Sequence, residues 1–181
     1  MTQTTQLRCT CGQVKVEVVG DPIVSAQCCC NSCRAAADQL QRLPAATSIR
    51  GPFDETHFAL YRKDRVRFLK GAEYLKDFRL TSGAKTRRVI AACCNTPIFL
   101  EFQGAHWLNL YGGLWPAGAL PQPALRTMTS DLPDARVLPN DVPNYKRQSI
   151  SFFAKLLAAW IAMGFRNPKV AVNGEFHVEA V

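Results

Sequence analysis

The sequence predicts a mainly β fold, with small antiparallel sheets gathered around zinc and followed by a C-terminal helix. Three features predict it. Short segments alternate apolar and polar residues with the period of two that marks a half-buried strand. Glycines fall between those segments at turn spacing. The eight cysteines lie in only three clusters: Cys9 and Cys11; Cys28, Cys29, Cys30 and Cys33; Cys93 and Cys94. Such clustering suits shared metal ions better than mutual bridges.

The elements follow in chain order. Over residues 7–19, Val14, Val16 and Val18 face one way and Gln13, Lys15 and Glu17 the other, after a turn supplied by Gly12. A second short strand is expected over residues 24–30. Residues 31–40 read as one or two helical turns with Asn31 or Ser32 as N-cap, closed by Pro44. Further strands are expected over 65–69, 74–80, 86–91, 98–102 and 107–111, with Gly71, Gly83 and Gly104 at turns. Residues 1–111 thus form a zinc-binding β domain. Residues 112–148 open with Gly112-Gly113 and hold six of the eleven prolines, which predicts an ordered wrap rather than another sheet. Residues 149–181 form a helix and tail packed on the domain. The helix, over 149–165, carries Phe152, Phe153, Leu156, Leu157, Trp160, Ile161 and Met163 with only Lys155 charged before Gly164 and Pro168 end it. So apolar a helix requires cover. Docking on its own sheet is the first expectation and a homodimer contact the second, while a membrane surface is disfavoured because the polar face lacks a basic stripe.

Composition narrows the function classes. A chain of 181 residues can bury about two-thirds of its unfolded surface, so a folded core is expected. No apolar run approaches the ~20 residues needed to span a bilayer. The first eight residues hold no apolar stretch of the secretory kind, which points to the cytoplasm and to reduced thiols, and so to zinc over disulfides. The net charge is +8, of which residues 62–88 carry +7 through ten Lys or Arg against Asp64, Glu73 and Asp77. Anionic partners are favoured there, although a solvated strand face reads the same way. Phe68, Tyr74 and Phe78 interleave with Arg65, Arg67, Lys76 and Arg79. Any half-buried strand shows this alternation, so nucleic acid is a disfavoured partner.

The cysteine spacing is more specific. In a strand, residues i and i+2 share a face, so Cys9 with Cys11, and Cys28 with Cys30, can each grip one ion. Cys33 follows in the next turn. Cys28, Cys30 and Cys33 then supply three thiolates and leave a fourth position open, while Cys29 faces the other way. Cys9 and Cys11 need two more ligands for a tetrahedral structural site, and Cys94, with Cys93 or a neighbour, is the natural source.

The run Leu7-Arg-Cys-Thr-Cys-Gly12, then Cys28-Cys-Cys-Asn-Ser-Cys-Arg34, then Cys94-Asn-Thr-Pro-Ile-Phe99 resembles the glutathione-dependent formaldehyde-activating family, which includes centromere protein V. The match covers residues 7–111. It implies a β-tent fold, a structural zinc on Cys9, Cys11 and Cys94, and a second, functional zinc on Cys28, Cys30 and Cys33. Three positions depart from the family pattern: Ala91 replaces a cysteine, Asn95 a glycine, and Cys29 a histidine. The chain therefore resembles a divergent branch with the form Cys-Cys-Asn-Thr-Pro, in which Cys93 substitutes as a ligand if the chain turns sharply there.

The expected function is that of a zinc-dependent carbon–sulfur lyase acting on adducts of aldehydes with glutathione or another small thiol, with one or two Zn²⁺ per chain. Zinc would hold the small thiol as thiolate. Arg34, next to the triad, is the expected contact for a glutathione carboxylate; Arg87 and Arg88 are secondary candidates, read first as solvated surface residues. No proton-transfer residue is assigned, because His57, His106 and His177 lack a motif and a histidine before Trp107 on a strand is more often packed than catalytic. The alternative is a zinc-stabilised binding module without chemistry. A closed four-cysteine site at residues 28–33 would favour it.

Overall fold

The computed structural model describes residues 3–176. Among the described residues, β1 (Thr4–Arg8), β2 (Lys15–Val19) and β5 (Val66–Lys70) pair antiparallel in the order β1-β2-β5. A larger sheet contains β3 (Val24–Cys28), β4 (Thr56–Arg62), β6 (Leu75–Phe78), β7 (Thr86–Ala91), β8 (Thr96–Phe102), β9 (Trp107–Tyr111) and β10 (Leu125–Thr127). Its order is β10-β3-β4-β9-β8-β7-β6. It is mixed, because β10 runs parallel to β3 while the other pairings are antiparallel. With α1 (Asn31–Leu40) and α2 (Ile150–Ala162), the fold is mainly β with a C-terminal helix.

Period-2 alternation assigns the two faces of the large sheet to different cores. From β4, Ala59 and Tyr61 join Val89, Ala91, Leu108 and Leu110 under the small sheet, which contributes Leu7, Val16 and Val18. The alternate residues Phe58 and Leu60 turn to the opposite face, with Val24, Ala26, Leu100, Tyr111 and Leu125, where Cys33 of α1 and Leu156 of α2 cover them. Each such Val, Leu or Phe contributes roughly 1.5–3 kcal/mol when removed from water. The turn into β6 needs Gly71: its φ is +78°, and a Cβ there would meet the Gln13 carbonyl oxygen at 2.4 Å, so the loop packs backbone to backbone.

Three strands lie where none was expected, and the first, β1, ends at Arg8, which corrects Cys9 and Cys11 from two positions on one strand face to positions in the turn after it. β4 shows no alternation of polarity because it is central and buried on both faces, which removes the period-2 signal. β10 arises inside the proline-rich wrap, corrected here from a purely irregular segment. Its three residues pair with β3 at an outer edge, a position that tolerates flanking prolines.

The helices also refine the expectation. α1 buries Cys33, Ala36, Ala37 and Leu40, the i, i+3, i+4, i+7 stripe of an amphipathic helix. Its N-cap is Cys30 rather than Asn31 or Ser32, with Sγ accepting the Cys33 N–H at 3.3 Å. In α2, Ser149 Oγ accepts the Phe152 N–H at 3.2 Å. The domain covers one edge of α2: Leu156 is buried, and Trp160 stacks on His106 at 5.3 Å. The rest of its apolar surface is open, with Ile150 89% and Phe153 56% exposed. Among the described residues, no helix is long and apolar enough to cross a membrane. His177 lies outside the described residues.

Candidate functional site

The first thiol cluster joins the two sheets. Cys9 and Cys11 sit in the β1–β2 turn, where Gly12, with φ +75°, donates its N–H to the Cys9 carbonyl at 2.9 Å and Cys9 Sγ accepts the Val14 N–H at 3.2 Å. Cys93 and Cys94 sit in the β7–β8 turn, which closes through the Cys94 N–H on the Ala91 carbonyl and through Asn95 at φ +57°. Thr10 and Thr96 tie the two turns together, Thr10 N–H donating to Thr96 Oγ1 at 3.1 Å. The four sulfurs all lie within 4.8 Å of one another. Separations are 3.6 Å for Cys9–Cys11, 3.4 Å for Cys11–Cys93, 3.9 Å for Cys9–Cys93 and 3.8 Å for Cys93–Cys94. Tetrahedral zinc with Zn–S near 2.3 Å sets its sulfurs about 3.8 Å apart, so this all-thiol donor set fits such an ion. Ala91, at the end of β7, is packed in the core and offers the cluster no ligand. Burial raises the Cys94 thiol, but the Thr96 hydroxyl and the N–H groups of Cys11 and Thr96 more than offset it, bringing it to about 6.

The second cluster lies at the end of β3, where the strand passes into α1. Cys28, Cys30 and Cys33 bring their sulfurs within 4.8 Å of one another, and no further His, Cys, Asp or Glu joins them among the described residues. Cys30 is held down at about 3 because the Cys28 and Cys33 thiols and the Cys33 N–H all donate to it, with Arg88 adding positive charge. Cys28 is pushed up by donating to Cys30 and Cys33 and by burial. Cys29 points away, fully buried against Leu132, Leu138 and Phe53. Its thiol is raised to about 11 by desolvation, then by Glu55, so it stays a neutral apolar side chain.

The triad lines a cavity of about 620 Å³ between the large sheet and α2. Phe58 and Leu60 from β4, Leu100 from β8 and Trp107 from β9 form its sheet side, and Phe152 and Leu156 its helix side. The one register row that runs Arg88, Leu100, Asn109 and Leu60 across β7, β8, β9 and β4 places a cation among them. Arg88 is 1% exposed. Its Nη2 donates to Ser32 Oγ at 2.8 Å and to the Ser32 carbonyl at 3.0 Å, whereas Nε and Nη1 make no hydrogen bond. Tyr111 lies beside it; burial pushes that phenol up and Arg88 pulls it down.

The other predicted residues are placed elsewhere. Arg34 stands beside the triad, yet its guanidinium is committed to Asp54 at 2.6 Å and to the Asp131 carbonyl at 2.8 Å, and it does not line the cavity. Arg87 pairs with Glu101 on the far side of β7. Arg88 is corrected from a solvated surface residue to a buried cavity residue, since it shares its strand face with Ile90. At least half of the ten basic residues over 62–88 are ion-paired, Arg62 with Asp64, Lys63 and Arg87 with Glu101, Arg67 with Glu17 and Arg79 with Asp77. Neither His57 nor His106 lines the cavity; His57 Nε2 lies 2.7 Å from Ser25 Oγ, and His106 Nε2 donates to the Leu156 carbonyl at 2.9 Å. Arg88 thus moves from a secondary candidate into the site, and Trp107, which carries no motif, joins it in the cavity lining.

Fold and site together define a mainly β protein with two clusters of thiols, one bridging its sheets and the other exposed to an apolar cavity. The chain belongs to the family described as Family of unknown function (DUF6151), whose model matches residues 1–114. No curated protein matches it. A protein of Rhodobacter sphaeroides with a solved crystal structure is similar over 77% of this chain and 98% of its own, at 16% identity and a TM-score of 0.44.

Proposed function

We propose that the protein is a zinc-dependent carbon–sulfur lyase acting on adducts of aldehydes with a small thiol, glutathione being the thiol that the motif resemblance implies. The observation that supports this most is the composition of the second cluster. Three thiols converge on one point, no fourth protein ligand joins them among the described residues, and they line a cavity. That is the arrangement of a site with an exchangeable position, whereas the four-sulfur cluster at the sheet junction has the arrangement of a closed structural site.

Zinc held by Cys28, Cys30 and Cys33 would supply thiolate stabilisation at neutral pH. Three thiolates against Zn²⁺ leave a formal charge of −1, and Arg88 offsets it from within the same cavity wall. Apolar walls of this kind keep water from the sulfur and from the reacting carbon, which protects the aldehyde from competing hydration. In cleavage, the carbon–sulfur bond breaks with its electron pair going to sulfur, the adduct's hydroxyl oxygen becomes the carbonyl, and the proton it loses ends on sulfur, releasing aldehyde and free thiol. The step is redox-neutral and needs no co-reactant.

The test is exchange between free thiol plus aldehyde and their hemithioacetal, followed by NMR with protein of measured zinc content. The reading requires catalysed exchange that Cys30→Ser abolishes while leaving the fold intact. Exchange at the uncatalysed rate with fully zinc-loaded protein, for every thiol tried, would overturn it in favour of a binding module.

A further inference from the structure

The cavity carries more information about its ligand than the thiol triad does. Its only charged lining residues, among those described, are Arg88 and Asp131. Asp131 Oδ2 already accepts the Asn31 N–H at 3.0 Å. Arg88 is different: it is buried to 1% exposure, and beyond Ser32 and the adjacent Tyr111 phenol its Nε and Nη1 find no acceptor. A buried donor left unmatched costs free energy, and a guanidinium costs more than a neutral group, so a vacant fork of this kind marks a place for an anionic acceptor. Two further buried donors that line the cavity also lack partners, Trp107 Nε1 on β9 and Thr127 Oγ1 on β10. Around them the surface is aromatic and aliphatic: Phe58, Leu60, Leu100, Phe152, Phe153 and Leu156. A volume of about 620 Å³ is that of a small-molecule site.

Glutathione matches this lining poorly. It brings two carboxylates and an ammonium group at separate ends of a polar backbone. One buried arginine can receive one carboxylate, and the second would lie against apolar walls without a cation. Building on the lyase reading above, we infer that the thiol partner at this site has an apolar body and a single carboxylate or comparable anionic oxygen group, with its sulfur at Cys28, Cys30 and Cys33 and its anion on Arg88. Arg88 is thereby a specificity-determining residue.

The test compares binding of ω-mercaptohexanoate, ω-mercaptohexanol and glutathione by calorimetry to zinc-loaded protein, with hexanoate, which has no sulfur, measured against metal-free protein by thermal shift. The parent should prefer ω-mercaptohexanoate over both the alcohol and glutathione by about tenfold or more, the difference of one charge-assisted bidentate contact. Arg88→Met should bring the acid-to-alcohol ratio to about one, and Arg88→Lys, which restores the charge without the fork, should recover part of it. Hexanoate should raise the melting temperature of the parent and not that of Arg88→Met. Should either variant fail to fold, the three-ligand order in the parent still decides: equal affinity for acid and alcohol, or tighter binding of glutathione, overturns the inference while leaving the lyase reading in place. If none of the thiols binds zinc-loaded protein, the lyase reading itself fails.

Discussion

Removing the junction cluster should cost the protein much of its stability, and the size of the loss can be worked from the chain's connectivity. Cys11 and Cys93 are 82 residues apart in sequence, yet their sulfurs lie 3.4 Å apart. An ion held there closes that loop in any state that retains it. Treated as a cross-link, a loop of this length removes roughly 4.5 kcal/mol of denatured-state entropy. The second cluster spans residues 28–33 only, for which the same relation gives about 2 kcal/mol. The sharp perturbation is the double variant Cys11→Ala/Cys93→Ala, which takes one ligand from each turn. Neither side chain is fully buried, so little apolar packing is lost with them. With stability losses of this size and a shift of about 2–4 °C per kcal/mol for a chain of this length, the melting temperature should fall by about 9–18 °C. The parent treated with a strong chelator should fall at least as far, and the variant should retain about one equivalent of metal fewer. A variant that melts within about 2 °C of the parent, where that same conversion predicts a several-fold larger drop, would refute the view that a junction ion holds the sheets together.

Other variants separate the remaining roles. Cys30→Ser should lower the melting temperature by at most about 4–8 °C, less than the junction variant, since its cluster is local, but lose thiol binding; Cys29→Ser should keep its metal and lose about 1–3 kcal/mol by placing a hydroxyl among Leu132, Leu138 and Phe53. Metal analysis alongside denaturant unfolding checks both. Leu156→Ala should cost about 2–4 kcal/mol because it opens the cavity wall, whereas Leu157→Ala, 52% exposed, should stay within about 0.5 kcal/mol. Burial lowers both His57 and His106 from 6.5, so the unfolded chain binds more protons below that value, and stability should decline as pH falls from about 7 through 6.5 toward the lower folded-state values. Thermal melts of His106→Gln against the parent over that window should show the parent losing more, and equal slopes would exclude His106 as a contributor.

Where local pattern sets local structure, the sequence was sufficient. Alternation located β2, β6, β7 and β9, and the i, i+2 rule separated Cys29 from Cys28 and Cys30, as its burial on the opposite face shows. Pairing Cys93 with Cys94 depended on a sharp turn that spacing alone does not guarantee; Asn95 in the left-handed region provides it. The central strand β4 was not legible, because burial on both faces erases the alternation on which a strand is recognised. The cavity was not legible either, since its walls come from β3, β4, β7, β8, β9 and α2, brought together only by tertiary packing. Arg88 left a faint signal, standing two residues from buried Ile90 on one strand face, but adjacency to the triad favoured Arg34. Asp54, supplied by a loop with no motif, takes Arg34 out of contention.

The proposed function requires one thiol cluster to be closed and the other to keep a position for an incoming thiol. Zinc-edge X-ray absorption of the purified protein tests this most directly, with metal content measured on the same sample. Two zinc ions per chain, one with four sulfurs and one with three, average about 3.5 sulfurs per zinc, and saturating ω-mercaptohexanoate should raise that average to about 4. A sulfur count already at 4 before any thiol is added, or one that stays unchanged after saturation, would show that the second cluster has no open position.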